Sequence, residues 1–336
     1  MGEQNEFTNL LIFVADSLRW DYLPESIASE GTAVQTLAAG LHTPVSFSSL
    51  LTGVSPEKHS VRGFEDRLDP ALETVFDRFE NGCYYDYELD PVRSNVLKDL
   101  PSGTELKDIE EPFVFVERAM ESHTPYNEVH HGNELEHVHD GDYTRSFDTV
   151  DGLRDRYRRG VEGVESHFRD HLEELAERGI LEDTLVVFTS DHGELLGERK
   201  NLRRRYAHGH PMSRELVRVP TVFYDVDIDA RRMRMIDIVE TCLQMTGRET
   251  LGSDGVDIRS AEPGEGVVVN DGYASYRNTW RFENGDWNPG SDTGLRKDVL
   301  REDLRILLSG LLGREIFSRP GKPEGSAGTD IDGLDV

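Results

Sequence analysis

Lysine is scarce in this chain, and cysteine is scarcer. Of the 37 basic residues among 336 only six are Lys, whereas 65 residues are Asp or Glu, so the formal net charge at pH 7 is −28. A charge of this sign repels nucleic acid, which argues against DNA or RNA as a partner. The two cysteines, Cys83 and Cys242, lie far apart without the spacing of a metal site. We expect both to be buried free thiols in a reducing compartment, which indicates a cytoplasmic location.

Long hydrophobic runs are also missing. A membrane-spanning helix needs roughly 20 apolar residues, whereas the longest clean run here covers residues 10–15. The polar, acidic residues 1–6 show no signal-peptide pattern, so we expect neither a leader nor a membrane span. A large acidic excess with few lysines suits a cytoplasm rich in salt, where the Debye length falls to about 3 Å at 1 M. The composition therefore predicts a halophilic protein.

Four short apolar runs predict buried strands that alternate with helices. They cover residues 9–15, 111–116, 183–189 and 219–224. Residues 150–178 carry apolar side chains at helical spacing, and Gly179 is placed to end that helix. The alternation predicts an α/β fold with a mostly parallel central sheet flanked by helices.

The composition changes near residue 262, which predicts three parts of the chain. Residues 1–260 would form the catalytic domain. Residues 261–318 would form a small C-terminal subdomain, with a short sheet and a helix near residues 300–312. Residues 319–336, rich in Gly, Pro, Ser and Asp, would form a disordered tail.

Three predicted strands end in Asp or His side chains. Asp16 follows the first, His123 follows the second, and Asp191 and His192 follow the third. Ligands of open α/β sheets bind beyond the carboxyl ends of the strands, so these ends predict a site for a divalent metal ion: Zn, Mn, Mg or Ca. Structural interpretations exist, since Asp16 could cap the next helix and His192 could be a core histidine. Further candidate ligands are His208 and His210, which lie in a loop with Gly and Pro.

A second feature is a short helix whose ends are marked by sequence. Thr43 is placed as its N-cap, Pro44 as its first residue and Gly53 just beyond its end. In the structural interpretation this is only a capped helix. In the functional one, Thr43 is a nucleophile, because free backbone N–H groups and the helix dipole would hold an oxyanion beside its hydroxyl. A Thr hydroxyl needs a metal to lower its pKa for that role.

Together these motifs resemble the sulfatase branch of the alkaline phosphatase superfamily over about residues 8–260. Residues 16–21 are similar to the first metal motif of that branch, and residues 43–59 to its nucleophile helix with the segment that follows. Residues 123–126 resemble its His-x-Pro-Tyr strand end, and residues 189–194 its most specific signature. The resemblance implies an alkaline phosphatase-like sheet with helices on both faces and a small C-terminal subdomain.

The resemblance also implies residue roles. Asp16, Asp191 and His192 would bind the metal, and Thr43 would be the nucleophile that bridges to it. The histidines implied to contact the substrate, the transferred group or a second metal are His208, with His210 as a weaker candidate, and His123.

Two departures separate this chain from sulfatases. Sulfatases carry a Cys or Ser that is oxidised to formylglycine, followed four residues later by Arg, whereas this chain has Thr43 and Phe47. Ser17 stands where sulfatases usually carry a second Asp. A nucleophilic Thr is similar to nucleotide pyrophosphatase/phosphodiesterases and glycerol-phosphate transferases of the superfamily.

These features predict a metal-dependent hydrolase or transferase that acts on a phosphoester through a covalent Thr43 intermediate. The substrate would be a small-molecule, glycan-linked or lipid-linked phosphate or sulfate ester. The alternatives are a sulfatase that hydrolyses sulfate esters and a catalytically inactive binding module with the same fold. The residues leave the oligomeric state open.

Overall fold

A computed structural model describes residues 7–86, 90–126, 140–200, 203–208, 212–270 and 276–289. The strands are Asn9–Ala15 (β1), Gly31–Leu37 (β2), Asn81–Tyr85 (β3), Phe113–Ala119 (β4), Thr184–Thr189 (β5), Leu195–Lys200 (β6), Arg203–Ala207 (β7), Arg218–Tyr224 (β8), Arg232–Arg234 (β9), Gly266–Asn270 (β10), Tyr276–Glu283 (β11) and Asp286–Pro289 (β12). The α-helices are Glu25–Ala28 (α1), Thr43–Thr52 (α2), Pro56–His59 (α3), Asp140–Arg145 (α4), Val150–Glu177 (α5), Arg214–Val217 (α6) and Met235–Met245 (α7).

The central sheet has seven strands in the order β3-β4-β1-β5-β8-β2-β9. Strand β1 lies in the middle of the parallel part and pairs with both β4 and β5. Strand β8 is antiparallel to β5 and to β2, and the other pairs in this sheet are parallel. The predicted mostly parallel α/β sheet is therefore confirmed, and six strands point their carboxyl ends to one edge.

Hydrophobic cores lie on both faces of the sheet, as alternating side chains of a doubly covered strand require. Leu10, Ile12 and Val14 of β1 pack on the side of α2 and α7. Leu11 and Phe13 point the other way, toward α5. Helix α5 matches its predicted bounds within one residue, and its apolar positions at helical spacing are buried.

All four predicted strands are present, but β8 runs opposite to its neighbours. A parallel return needs a crossover connection, usually a helix. The connection from β5 to β8 instead contains the antiparallel hairpin of β6 and β7 and the four-residue helix α6. The sequence patterns also missed β2, β3 and β9, which are short or carry polar residues.

The predicted C-terminal sheet is present as the antiparallel strands β10, β11 and β12. Val268, Trp280 and Trp287 pack against Leu37 and Leu41, at and just after the end of β2, and against apolar residues of α6. The predicted helix near residues 300–312 and the predicted tail 319–336 lie outside the described residues. The boundaries at residues 260 and 318 remain predictions.

Two sequence expectations concern the surroundings of the protein. Cys83 and Cys242 are both buried and free, as predicted. A search of the described helices finds none with the length and apolar character that crossing a membrane requires.

Candidate active site

The sheet brings Asp16, Thr43, Asp191 and His192 together at one edge. Asp16 directly follows β1, and Asp191 and His192 follow the adjacent β5, so the two carboxylates start from neighbouring strand ends. Thr43 begins α2 after the chain leaves β2 at the same edge. Its Oγ1 donates a hydrogen bond to Asp16 Oδ2 at 3.3 Å. The segments are far apart in sequence, and the parallel strands account for their convergence.

Asp16, Asp191 and His192 offer three ligand atoms to one point. All three side chains are buried, and one ligand atom from each lies within 4.8 Å of the others. His192 Nε2 lies 3.4 Å from Asp191 Oδ2 and 3.8 Å from Asp16 Oδ1. Within the described part of the chain, Asp191 Oδ2 and His192 Nε2 are buried without a hydrogen-bond partner. Buried polar atoms are normally satisfied, so this set fits a divalent cation.

The protonation of His192 agrees with a ligand role. Its Nδ1 lies 3.1 Å from the carbonyl oxygen of Gly193. A carbonyl can only accept, so Nδ1 carries the proton, and the lone pair of Nε2 faces the two carboxylates. Burial holds the pKa of His192 well below its usual value. A backbone-anchored Nδ1–H is a common way to orient a metal-binding imidazole.

The two carboxylates differ in electrostatic environment. Burial, together with the neighbouring charge of Asp16, raises the pKa of Asp191. Burial also acts to raise the pKa of Asp16, but the charge of Arg118 and the nearby histidines outweigh it, and the pKa falls below its usual range. Two buried carboxylates this close repel each other. A cation between them would remove that repulsion.

Arg118 is a site residue that the sequence analysis missed. It is buried on β4 and contacts Asp16 Oδ2 at 2.7 Å, Asp90 Oδ2 at 2.9 Å and Asp86 Oδ2 at 3.3 Å. Its guanidinium therefore helps to fix the orientation of the Asp16 carboxylate. The sequence pattern that could have revealed Arg118 is the charged pair Glu117-Arg118 inside an otherwise apolar strand.

Helix α2 begins one residue earlier than predicted, with His42 as N-cap and Thr43 as the first helical residue. Gly53 ends it in the left-handed conformation, with φ of 64°, as its predicted position requires. Fewer backbone N–H groups are free at this helix end than the sequence predicted. Pro44 has no N–H, and the N–H of Val45 donates to the His42 carbonyl at 3.1 Å. The helix end therefore offers less to an oxyanion than the sequence suggested.

Further histidines lie close to this cluster. The ring of His208 lies 4.6 Å from that of His192, and 5.5 Å from those of His123 and of His42. His123 Nδ1 donates to the Thr124 carbonyl at 2.8 Å. The predicted candidates His123 and His208 thus join the site, as does His42, which was not predicted. His210 lies outside the described residues.

The loops that carry the ligands are anchored by their own backbone. Ser17 has a left-handed φ of 65°, and its N–H donates to Asp191 Oδ1 at 3.1 Å. Its hydroxyl donates to Asp16 Oδ1 at 2.8 Å, so Ser17 orients ligands where sulfatases usually carry a second Asp. After His192, the N–H of Gly193 donates to the Leu216 carbonyl at 2.8 Å. A Cβ on Gly193 would lie 2.0 Å from the Glu215 carbonyl oxygen, so this position admits only glycine.

Comparisons with known proteins identify relatives of this chain. A family model described as Sulfatase matches residues 70–247, which include His123, Asp191 and His192. A curated relative from Haloferax volcanii, a low-salt glycan biosynthesis sulfotransferase, is 35% identical over 280 residues, covering 79% of this chain and 67% of that protein.

Solved structures support the same fold. A 2-O GAG sulfatase has a TM-score of 0.59 at 15% identity and covers 92% of this chain and 93% of its own. The phosphonate monoester hydrolase of Agrobacterium radiobacter has a TM-score of 0.59 at 14% identity, covering 91% and 94%. At these identities the likeness concerns the fold. The family model and the 35% identical relative together show that the chain belongs to the sulfatase family.

Proposed function

We propose that this protein transfers a singly charged oxoanion group from an ester donor to a sugar hydroxyl through a covalent ester of Thr43. The sulfuryl group is the first candidate for the group transferred. The observation that carries the proposal is the position of Thr43 Oγ1, 3.3 Å from Asp16 Oδ2 at the edge of the buried Asp16, Asp191 and His192 cluster. A hydroxyl beside a cation-binding set is the arrangement that makes a weak nucleophile usable.

The charges around Thr43 favour a group with one negative charge. Asp16, Asp191 and Glu194 are fully buried there, and Arg118 is shared among three carboxylates. With Asp86 and Asp90, which share Arg118 with Asp16, the five carboxylates carry five negative charges, against three positive charges from Arg118 and a bound divalent cation. A phosphate monoester with two negative charges would therefore be repelled more strongly than a sulfate ester or a phosphodiester.

The reaction has two steps on Thr43. A divalent cation held by Asp16, Asp191 and His192 would neutralise their charge and lower the pKa of the Thr43 hydroxyl, whose proton goes to solvent. Thr43 Oγ1 then forms a bond to sulfur, and the bond from sulfur to the leaving oxygen breaks. The acceptor hydroxyl next attacks the same sulfur, the bond from sulfur to Thr43 Oγ1 breaks, and Thr43 takes a proton back from solvent.

His123 moves the proton in both steps. Because its Nδ1–H is held by the Thr124 carbonyl, Nε2 is the atom that gives a proton to the leaving oxygen. In the second step Nε2 takes the proton of the acceptor hydroxyl, which restores the starting state. His208 lies between His123 and His192 and would contact the group in transit.

The nature of the nucleophile determines how the covalent intermediate is resolved. A formylglycine hydrate expels sulfate by collapsing to the aldehyde, but an ester on Thr43 has no such route and must be displaced by an incoming oxygen. The Haloferax volcanii relative is named a sulfotransferase of glycan biosynthesis, which favours a sulfuryl group and a glycan acceptor. Phosphoryl transfer from a phosphodiester is the second candidate, favoured by the nucleophilic Thr43 itself.

The test compares nitrophenyl sulfate, bis-nitrophenyl phosphate and nitrophenyl phosphate, each with and without a sugar acceptor and with EDTA or added Mg²⁺, Mn²⁺, Zn²⁺ or Ca²⁺. We expect turnover of a singly charged donor that rises with acceptor and is lost in EDTA. Intact-mass spectrometry in the absence of acceptor should detect one added group on Thr43.

Variants at Thr43 separate the nucleophile from the rest of the site. Thr43→Ala should lower turnover by at least about 1,000-fold, and Thr43→Ser should retain part of it because the hydroxyl survives. Full activity of Thr43→Ala removes Thr43 from the mechanism, and preference for nitrophenyl phosphate contradicts the charge argument. Absence of turnover with every donor, in a folded protein that still binds cation, would favour the inactive binding module.

A further inference from the structure

We propose that the chain has a second metal site, for a divalent transition metal such as Zn²⁺, formed by Glu117, His167 and His171. Glu117 lies on β4, and the two histidines lie on α5, which packs across that strand. One ligand atom from each of the three residues lies within 4.8 Å of the others. This set lies on the α5 face of the sheet and shares no residue with the candidate active site.

Both imidazoles aim the same nitrogen at the same carboxylate. His167 Nε2 lies 3.0 Å from Glu117 Oε1, and His171 Nε2 contacts Glu117 Oε2. The four-residue spacing places both rings on one side of α5, with centroids 5.0 Å apart. Two histidines four apart on a helix are a known way to present two nitrogens to one Zn²⁺.

A further carboxylate orients one of the ligands. His167 Nδ1 contacts Glu121 Oε1 at 3.0 Å, so its Nε2 is turned toward Glu117. Metal-binding histidines commonly hold their other ring nitrogen against a carboxylate in this way. Glu121 thus contacts the far side of the ring, where a supporting residue of a metal site is expected.

The surroundings leave a path for an ion while keeping the ligands in place. The rings of Phe13 and Phe115 pack edge-on against the histidines and form apolar walls. Glu117 is buried, whereas the side chain of His167 is 29% exposed. The site therefore opens toward solvent on the His167 side.

The chemistry of the donors selects the class of metal. Two imidazole nitrogens and one carboxylate oxygen suit Zn²⁺, Co²⁺ or Ni²⁺, whereas Mg²⁺ and Ca²⁺ prefer oxygen donors. Glu117 and Glu121 supply two negative charges, which a divalent ion would balance. A metal here would tie α5 to β4 and so stabilise the fold.

The experiment measures binding of Zn²⁺ and Co²⁺ to the chelator-treated full chain by equilibrium dialysis with metal analysis, and by the visible absorption of Co²⁺. We expect the double variant His167→Asn/His171→Asn to bind one equivalent fewer than the wild type. Asp191→Asn should keep that equivalent, which separates it from the active site. Glu121→Gln should weaken it roughly tenfold or more, and Glu173→Gln, an exposed neighbour on α5, should bind as the wild type does.

A measurement on the wild type guards against a variant that fails to fold. Crystals soaked in Zn²⁺ should give an anomalous-scattering peak between Glu117, His167 and His171. Absence of that peak, or an unchanged number of bound equivalents in the folded double variant, overturns the proposal and leaves these residues as an ion-pair cluster. The outcome does not depend on the transfer reaction, because neither measurement uses activity.

Discussion

Asp191 and His192 each have one polar atom fixed by a hydrogen bond and one directed into the cluster. Asp191 Oδ1 accepts from the N–H groups of Ser17 and His192 at 3.1 and 2.8 Å, while Oδ2 faces the cluster. His192 has the same division between Nδ1 and Nε2. The inward atoms therefore cannot turn away to find other partners. Because these atoms are held in place, the repulsion between the two carboxylates destabilises the metal-free protein.

We expect Asp191→Asn to stabilise the metal-free protein while weakening its metal binding. The substitution removes one of two adjacent buried carboxylates, so the melting temperature in EDTA should rise, and the further rise on adding Mg²⁺, Mn²⁺, Zn²⁺ or Ca²⁺ should shrink. Thermal unfolding in EDTA and in each metal measures both effects. The exposed Asp183→Asn should show neither, and a variant that is less stable in EDTA contradicts the prediction.

His59 provides a second prediction at this scale. Its Nδ1 accepts from the N–H of Val61 at 3.1 Å, so its Nε2–H donates to Ser49 Oγ at 3.0 Å. Burial, with the charge of Arg62, lowers the pKa of His59 to about 4. The unfolded chain takes up this proton near pH 6.5, so the contribution is present above pH 6.5 and is lost as pH falls toward 4.

That contribution is on the order of 3 kcal/mol. Denaturant unfolding of wild type and His59→Asn between pH 7.5 and 4, a range chosen around these values, measures it. The free energy of unfolding of the variant should be lower at pH 7.5 and should fall less steeply toward pH 4. Titrating groups that the two proteins share cancel in the difference. Parallel curves would show that the pKa of His59 is the same in the folded and the unfolded protein.

At the scale of elements, the contact between α5 and the turn after β4 positions His123. A Cβ on Gly160 would lie 2.3 Å from the Glu121 carbonyl oxygen. The helix therefore packs directly on the backbone of the turn, which is closed by hydrogen bonds from the N–H of His123 to the Met120 carbonyl and from the N–H of Tyr126 to the His123 carbonyl. This close contact explains why a glycine stands in the middle of a long helix.

Gly160→Ala should separate α5 from this turn. We expect it to lower the free energy of unfolding by about 1–3 kcal/mol, the usual range for overpacking, and to lower turnover because His123 moves. Denaturant unfolding and the donor assays measure the two effects. Gly264→Ala, where a Cβ meets nothing within 4 Å, should change neither. Wild-type stability in Gly160→Ala would mean that the turn can shift freely.

Strand β4 also shows how much of the site the sequence could predict. Apolar runs followed by Asp or His predicted three strand ends, and the structure brings those residues together. Glu117 and Arg118 are adjacent, so they face opposite sides of the sheet, one toward α5 and the other toward Asp16. Nothing local in the sequence says which element covers each face. For the same reason the pair His167 and His171 lay unnoticed on a predicted helix.

The direction of β8 was not predictable either, because it depends on the connection and not on the strand. An apolar run predicts burial equally well for both directions. By contrast, Thr43 was placed correctly to within one helical position, since Pro44 and Gly53 restrict where α2 can begin and end. Local conformational restrictions are readable from sequence, whereas pairings between distant segments are not.

At the scale of the whole molecule, the net charge of −28 should make stability depend on salt. Screening of the repulsion among acidic residues predicts a higher melting temperature in about 3 M than in about 0.1 M KCl. Thermal unfolding in a KCl series tests this. Sucrose strengthens burial without screening charge, so it should stabilise less. Equal melting temperatures at the two KCl concentrations contradict the halophilic interpretation.

The central position of β1 has a consequence for synthesis of the chain. This strand is made first, yet its partners β4 and β5 end at Ala119 and Thr189. During translation β1 therefore emerges long before either neighbour, with its apolar side chains unpaired. Asp16 cannot meet Asp191 until the ribosome has passed both. Until β4 has been made, the nascent chain must keep this apolar strand from other contacts, and the candidate active site is complete only after β5.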